Sequence, residues 1–322
     1  MRTSSTFLIM AFAIATTLSC KKDSPENVAV PPPASNGTSF QTLFANNIAN
    51  ATQVFTMDAA SGGQVMGGKG TRLIFEPGAF IHPDGTPVTG QVQVSLVEAL
   101  TMGDMIWLNK QTVGNDNGTM RILRSGGAIN VYAEQGGGEV RVTQGGLIAR
   151  VPTAVGDPAM ELFTGSENAQ GNMIWNPIDS SMITVDPTYY DSTDYSYTFP
   201  YYFNYQLNAP NFNWINCDYF WNDPNTTVVT ATIPVGQAMD STLIWMALPS
   251  LNSVMSMYGY QNQTYSGQAA PVGMSAVVIG LRQEANGYSS SFNPVTISSG
   301  LNVPMTFTPT TLTQFEATVN AL

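Results

Sequence analysis

Histidine occurs once in this chain, as His82, and cysteine twice, as Cys20 and Cys217. Zinc sites are built from several His or Cys ligands, so the count excludes a site of that kind. Any Ser-His-Asp or Cys-His machinery would have to run through His82. That residue lies in Phe80-Ile81-His82-Pro83-Asp84-Gly85, the pattern of a hairpin tip. Such tips are wet and mobile, and they hold a general base poorly. Charge is equally scarce: Asp, Glu, Lys and Arg make up 10% of the chain, against about 25% in ordinary soluble proteins. There is no basic run, and the formal net charge is −11. A chain of that sign repels phosphate backbones, which excludes nucleic acid as a partner.

Long hydrophobic runs are missing as well. The apolar stretch Phe7 to Leu18 (FLIMAFAIATTL) falls short of the roughly 20 residues that a membrane-spanning helix needs. Placed behind Arg2, it reads as the core of a signal peptide covering residues 1–19. Leu18-Ser19-Cys20-Lys21-Lys22-Asp23 follows, and this segment resembles the lipobox of bacterial lipoproteins, with Thr17 where that pattern usually has Leu. The Cys-Lys-Lys-Asp start is similar to those of Bacteroidetes outer-membrane lipoproteins. The resemblance implies thioether lipidation of Cys20, which becomes the mature N-terminus and anchors the chain to the outer membrane. Each buried methylene adds about 0.8 kcal/mol, so a cysteine carrying two or three acyl chains is firmly held. Residues 20–38 then form a tether stiffened by Pro31-Pro32-Pro33.

Cys20, once lipidated, leaves Cys217 without an intramolecular partner, and Cys217 reads as a buried small hydrophobe. The length accommodates two domains of ordinary size. Phe40, Leu43, Phe44 and Ile48 recur at helical spacing behind Ser39, a candidate cap. From Lys69 to Phe163 the period changes to two. Leu73 and Phe75, Val92, Val94 and Leu96, Ile129, Val131 and Ala133, and Val140 and Val142 each alternate with polar neighbours. Runs of this kind bury one face and wet the other. Pro77-Gly78, Asn117-Gly118, Gly136-Gly137-Gly138 and Gly145-Gly146 supply the turns between them.

Within this region Gly70-Thr71-Arg72-Leu73-Ile74-Phe75-Glu76-Pro77-Gly78-Ala79-Phe80, Gly90-Gln91-Val92-Gln93-Val94 and Ser125-Gly126-Gly127-Ala128-Ile129 are similar in order to the ZU5 β-sandwich module. The resemblance implies a β-sandwich over residues 39–165. Some ZU5 proteins self-cleave at His-Phe-Ser. Here His82 precedes Pro83-Asp84, so that activity is not implied.

Residues 166–205 are rich in Tyr and Asp and read as an interdomain connection. The segment Asn213-Trp214-Ile215-Asn216-Cys217-Asp218-Tyr219-Phe220 resembles one in uncharacterised Bacteroidetes surface proteins. Five further apolar runs between Thr227 and Thr308 suffice for a second sandwich over 206–322. Leu312, Phe315, Val319 and Leu322 end the chain at helical spacing, with Thr313 and Glu316 in capping-box register. The fold expected is all-β: two antiparallel β-sandwich domains in tandem with a short C-terminal helix.

Function is less legible. None of the 22 acids stands in a motif that would set up the paired carboxylates of a glycosidase. Asp186, Asp191 and Asp194 lack the spacing of a calcium loop and read as a solvated linker. Neither catalytic residues, a metal site nor a cofactor is expected, apart from the covalent lipid on Cys20. Tyr201, Tyr202, Trp214 and Trp221 form the candidate ligand-binding group, since aromatic rings stack on sugar faces and carry polar tips. The alternative is that they pack the seam between the domains. The expectation is a non-catalytic envelope lipoprotein, structural or interaction-mediating, whose partners are the membrane and a glycan or envelope protein. A glycan-binding lipoprotein of a polysaccharide uptake system is the alternative, and a hydrolase the second alternative.

Overall fold

The computed structural model describes residues 38–157, 159–168, 171–178, 183–186, 201–207, 214–259 and 261–322. For the strands Ile183–Asp186 and Tyr201–Leu207 only the backbone path is described. Cys20, the signal segment and the tether up to residue 37 lie outside the described residues, as do Asp191 and Asp194. Strands take 54% of the described residues and helices 12%, in two sheet groups that follow one another, so the all-β expectation holds.

The first group is a sandwich. Its first sheet runs, from edge to edge, through Gln53–Asp58, Gln91–Ala99, Thr119–Gln135, Trp214–Phe220, Glu161–Glu167, Met173–Pro177 and Val113–Asp116. The last of these pairs back onto Thr119–Gln135, which closes part of the sheet into a ring. The second sheet runs Ile183–Asp186, Tyr201–Leu207, Leu147–Thr153, Arg72–Phe75, Gly63–Met66. The residues read as inward by alternation are the ones that meet between these sheets. Leu73, Phe75, Val92, Val94, Leu96, Ile129, Val131 and Ala133 are all buried in one core, while Tyr132 between them is exposed. Asn117 and Gly118 both take positive φ, as a tight hairpin between Val113–Asp116 and Thr119–Gln135 requires.

The second group is one curved sheet in the order Asn302–Pro304, Thr226–Thr232, Thr264–Pro271, Ser253–Gly259, Thr242–Leu248, Ser275–Glu284, Gly287–Thr296, Thr308–Thr310. Its strand TLIWMAL shows no polar alternation because both faces are covered. Ile244, Met246 and Leu248 enter a core shared with neighbouring strands of this sheet and with Val113 and Ile122 of the first group. Trp245 and Ala247 enter another core, beneath a layer of helices. Those helices are α1 (Thr38–Ala51), α2 (Met102–Trp107) and α3 (Leu312–Val319). They contribute Phe40, Leu43 and Phe44, then Met102, Met105 and Ile106, then Phe315 and Val319 to the same cluster.

Three local expectations are corrected. Ser39 lies inside α1 and not before it. The capping box of α3 is made by Thr311 and Gln314, not by Thr313 and Glu316. Both pairs fit the spacing, but Leu312 is a helical residue, so the turn starts two residues earlier. Residues 166–205 are not a simple connection, and the second sheet group does not begin at 206. Glu161–Glu167 and Met173–Pro177 extend the first sheet, and Ile183–Asp186 and Tyr201–Leu207 extend the second. Trp214–Phe220 then inserts between Thr119–Gln135 and Glu161–Glu167. The sheet groups part only after Phe220. Strand pairing over such separations is a tertiary choice that turn residues do not record.

Candidate functional site

The two sheet groups meet along a polar seam built by the loop that leaves α2. Asn109 takes φ 54°, a left-handed conformation that asparagine tolerates better than most residues. This bend lets the Lys110 N–H donate to Met105 O at 2.7 Å and turns the next three side chains toward different neighbours. Lys110 is buried: Nζ donates to Glu167 Oε1 at 2.6 Å and lies 5.0 Å from the centre of the Trp214 ring. Gln111 Oε1 accepts from Ser256 N at 3.0 Å, and its Nε2 donates to Met173 O at 2.9 Å and to the Tyr258 hydroxyl at 3.0 Å. Thr112 shares a 2.6 Å hydroxyl contact with Ser253 and exchanges backbone and side-chain bonds with Val254. Asn252, held at φ 48°, donates Nδ2 to Leu100 O and Ser125 O. Sequence separations of 127 to 152 in the bonds that cross between the sheet groups make this seam invisible to local patterns.

At one end the seam opens into a narrow cleft of about 30 Å³, room for two or three waters. Asn109 and Asn172 line it from the first sheet group, and Asp240, Ser256, Tyr258 and Tyr265 from the second. Asn109 and Asn172 are only 7% and 5% exposed. Asn109 Nδ2 makes one long bond, 3.4 Å, to Gly171 O, and its Oδ1 has no partner among the described residues. The Asn172 side-chain amide has none there either, although its backbone is tied to Asn168. Asp240 is exposed at the mouth. Tyr265 is fixed by hydrogen bonds from its hydroxyl to Met239 O and Thr242 O. Burial, and secondarily the Asp240 charge, push its phenol up, so it stays neutral. Burial likewise raises Tyr258, against the lowering effect of its bond to Gln111. A second, shallower depression lined by Pro249, Val277, Pro294 and Val295 carries no ionisable side chain.

Of the aromatic group expected to bind ligand, the two tryptophans lie among the residues whose side chains are described. Trp214 is 7% exposed and packs with Phe163, Met173 and Trp175 beneath Lys110. Its ring is already engaged. Trp221 is half-buried against the core of the second sheet group and tilts against Tyr219 at 6.3 Å. These two tryptophans pack the junction. Tyr201 and Tyr202 begin the strand Tyr201–Leu207, and their side chains lie outside the described residues.

His82 occupies the expected hairpin tip, where its N–H bonds Thr86 O and its C=O accepts from Gly85. Cys217 is buried, and burial raises its thiol well above the usual range. Beside it, at a bulge opposite Ser125 and Gly126, the buried Asp218 accepts from Asn216 Nδ2 at 2.6 Å and Gly126 N at 3.2 Å. Other carboxylates serve loops. Glu98 accepts from Gln53 Nε2 and from the backbone N–H of Lys69 and Thr71. Asp104 caps α2 through the N–H groups of Leu100 and Thr101 and pairs with Lys69. Among the described residues no cluster of three or more His, Cys, Asp or Glu side chains is placed to hold a metal ion, and no helix is long and apolar enough to cross a membrane.

Compared with known families and with curated proteins, the chain matches no family model and no curated sequence. The cleft residues Asn109, Asn172, Asp240 and Tyr258 were not singled out from sequence. Asparagines in loops are ordinary there, and only the fold brings these two to one cleft.

Proposed function

We propose that the protein is a non-catalytic lipoprotein of the cell envelope, held at the outer membrane through lipid on Cys20 and presenting its two sheet groups as a structural or interaction module. The observation that carries this reading is the order of segments at the N-terminus: an apolar run too short to span a bilayer, then Cys20, then a proline-bearing stretch ahead of α1. The carboxylates of the body support the non-catalytic part. Glu98, Asp104 and Asp218 spend their oxygens on backbone and amide donors and, for Asp104, on the Lys69 ammonium, an arrangement that holds loops in place.

The test is fractionation of cells expressing the full chain and a Cys20→Ala variant, with the mature N-terminus read by mass spectrometry. The native chain is expected in the membrane fraction with a lipidated Cys20, and the variant in the soluble fraction. A mature chain that starts downstream of Cys20 would overturn the anchor.

A further inference from the structure

We infer that Asn286 is a site of spontaneous covalent modification: in the folded protein its side-chain amide leaves as ammonia through a succinimide formed with Gly287. Aspartate or isoaspartate then stands at the tip of the hairpin between Ser275–Glu284 and Gly287–Thr296. Water is the only co-reactant. The Gly287 backbone nitrogen gives up its proton and attacks Asn286 Cγ, the new C–N bond closes a five-membered ring, and Nδ2 departs with the proton as ammonia. Water next opens one of the two ring C–N bonds. Breaking the bond to Cγ gives aspartate, and breaking the bond to the main-chain carbonyl gives isoaspartate.

The chain holds three Asn-Gly pairs, and the structure tells two of them apart, Asn36-Gly37 lying outside the described residues. At Asn117-Gly118 both reacting groups are engaged. Asn117 Nδ2 donates to Asp116 Oδ1 at 3.0 Å, and the attacking nitrogen, Gly118 N, donates to Asn115 Oδ1 at 2.7 Å. Asn286 carries no such restraint: its side chain is exposed and makes no hydrogen bond among the described residues. Gly287 takes φ 131°, which glycine adopts readily, and the space where a Cβ would stand is empty, so nothing shields its nitrogen. It pairs with Glu284 at the last rung of the ladder, where opening costs least. The acidic counterpart, Asp84-Gly85, is protected as well. Asp84 accepts from Thr86 Oγ1 and N, bonds that hold its carboxyl below the usual range and ionised, and a carboxylate resists attack. At Asn286 the product carboxylate appears two residues from Glu284, which Arg282 and Ser289 already hold. Isoaspartate also adds a carbon to the main chain of a two-residue turn, so the Glu284–Gly287 rung is lost.

The reaction is independent of the lipid anchor. To test it, the full chain is incubated at pH 8 with and without denaturant. The segments carrying Asn117 and Asn286 are then followed by mass spectrometry and by methylation with an isoaspartyl methyltransferase. In the folded protein the Asn286 segment is expected to convert roughly tenfold faster than the Asn117 segment, or more, and in denaturant the two rates should converge, because both are plain Asn-Gly pairs once the fold is gone. Asn286→Gln, an exposed change at the tip, should abolish conversion in its segment, since the larger ring closes far more slowly. A folded chain that keeps the Asn286 amide while the denatured chain loses it would overturn the proposal. So would equal conversion of Asn117 in the folded state, or conversion that persists in Asn286→Gln and therefore belongs to Gln283.

Discussion

Lys110 Nζ sits 5.0 Å from the centre of the Trp214 ring while its hydrogen bond reaches out to Glu167. The cation is 3% exposed and its carboxylate partner 50% exposed, so the charge is neutralised from the solvent side and the ring lies under it. Trp214 is thereby a packing residue. Trp214→Ala is expected to cost about 3–5 kcal/mol in denaturant unfolding, the range for a large buried ring. Glu167→Ala should cost less, about 1–2 kcal/mol, because solvent reaches that side of the pair. A Trp214→Ala protein of native stability would overturn this placement.

Asp218 makes stability depend on pH in an unusual direction. Burial raises its carboxyl well above the usual range, and the bonds from Ser125, Gly126 and Asn216 only partly oppose that. The folded state therefore holds the proton more tightly than the unfolded chain. The contribution of this group is greatest below the unfolded value, about 4, and is lost as pH rises from there through the folded value. Asp218→Asn should flatten this fall in chemical denaturation measured between pH 4 and 8. An unchanged slope would show that the carboxyl titrates normally.

Cys217 neighbours that carboxyl and is raised by burial first and by Asp218 second. A thiol kept protonated and covered is inert. Labelling of the native protein with a maleimide is expected to proceed no faster than global unfolding and to become immediate in denaturant. Fast native labelling would mean that the bulge opens.

The start of α3 gives a local test. Thr311 Oγ1 accepts from Gln314 N at 3.1 Å, and Gln314 Oε1 accepts from Thr311 N at 3.0 Å. Thr311→Ala should cost about 1 kcal/mol, partly seen as loosening of Phe315 and Val319, whereas Thr313→Ala, at an exposed helical position, should be near neutral. Equal losses from the two would restore the later start.

The sequence alone determined where strands and turns lie. Leu73, Val92, Val94 and Ile129 alternate with polar neighbours because one face of each strand is covered and the other is wet, and that periodicity is local. Asn117-Gly118 specifies its hairpin for the same reason, since positive φ at consecutive residues is a property of two residues. Which strands pair was decided only by tertiary structure. Trp214–Phe220 lies between strands that are distant in the chain, and opposite Cys217 the strand Thr119–Gln135 bulges by one residue, and TLIWMAL is apolar on both faces only because a helix layer assembled from three separate segments covers one of them. The cleft belongs to this second kind of information. Asn109 and Asn172 carry no motif, and what sets them apart is that the fold lines one cleft with them and with residues from the far half of the chain.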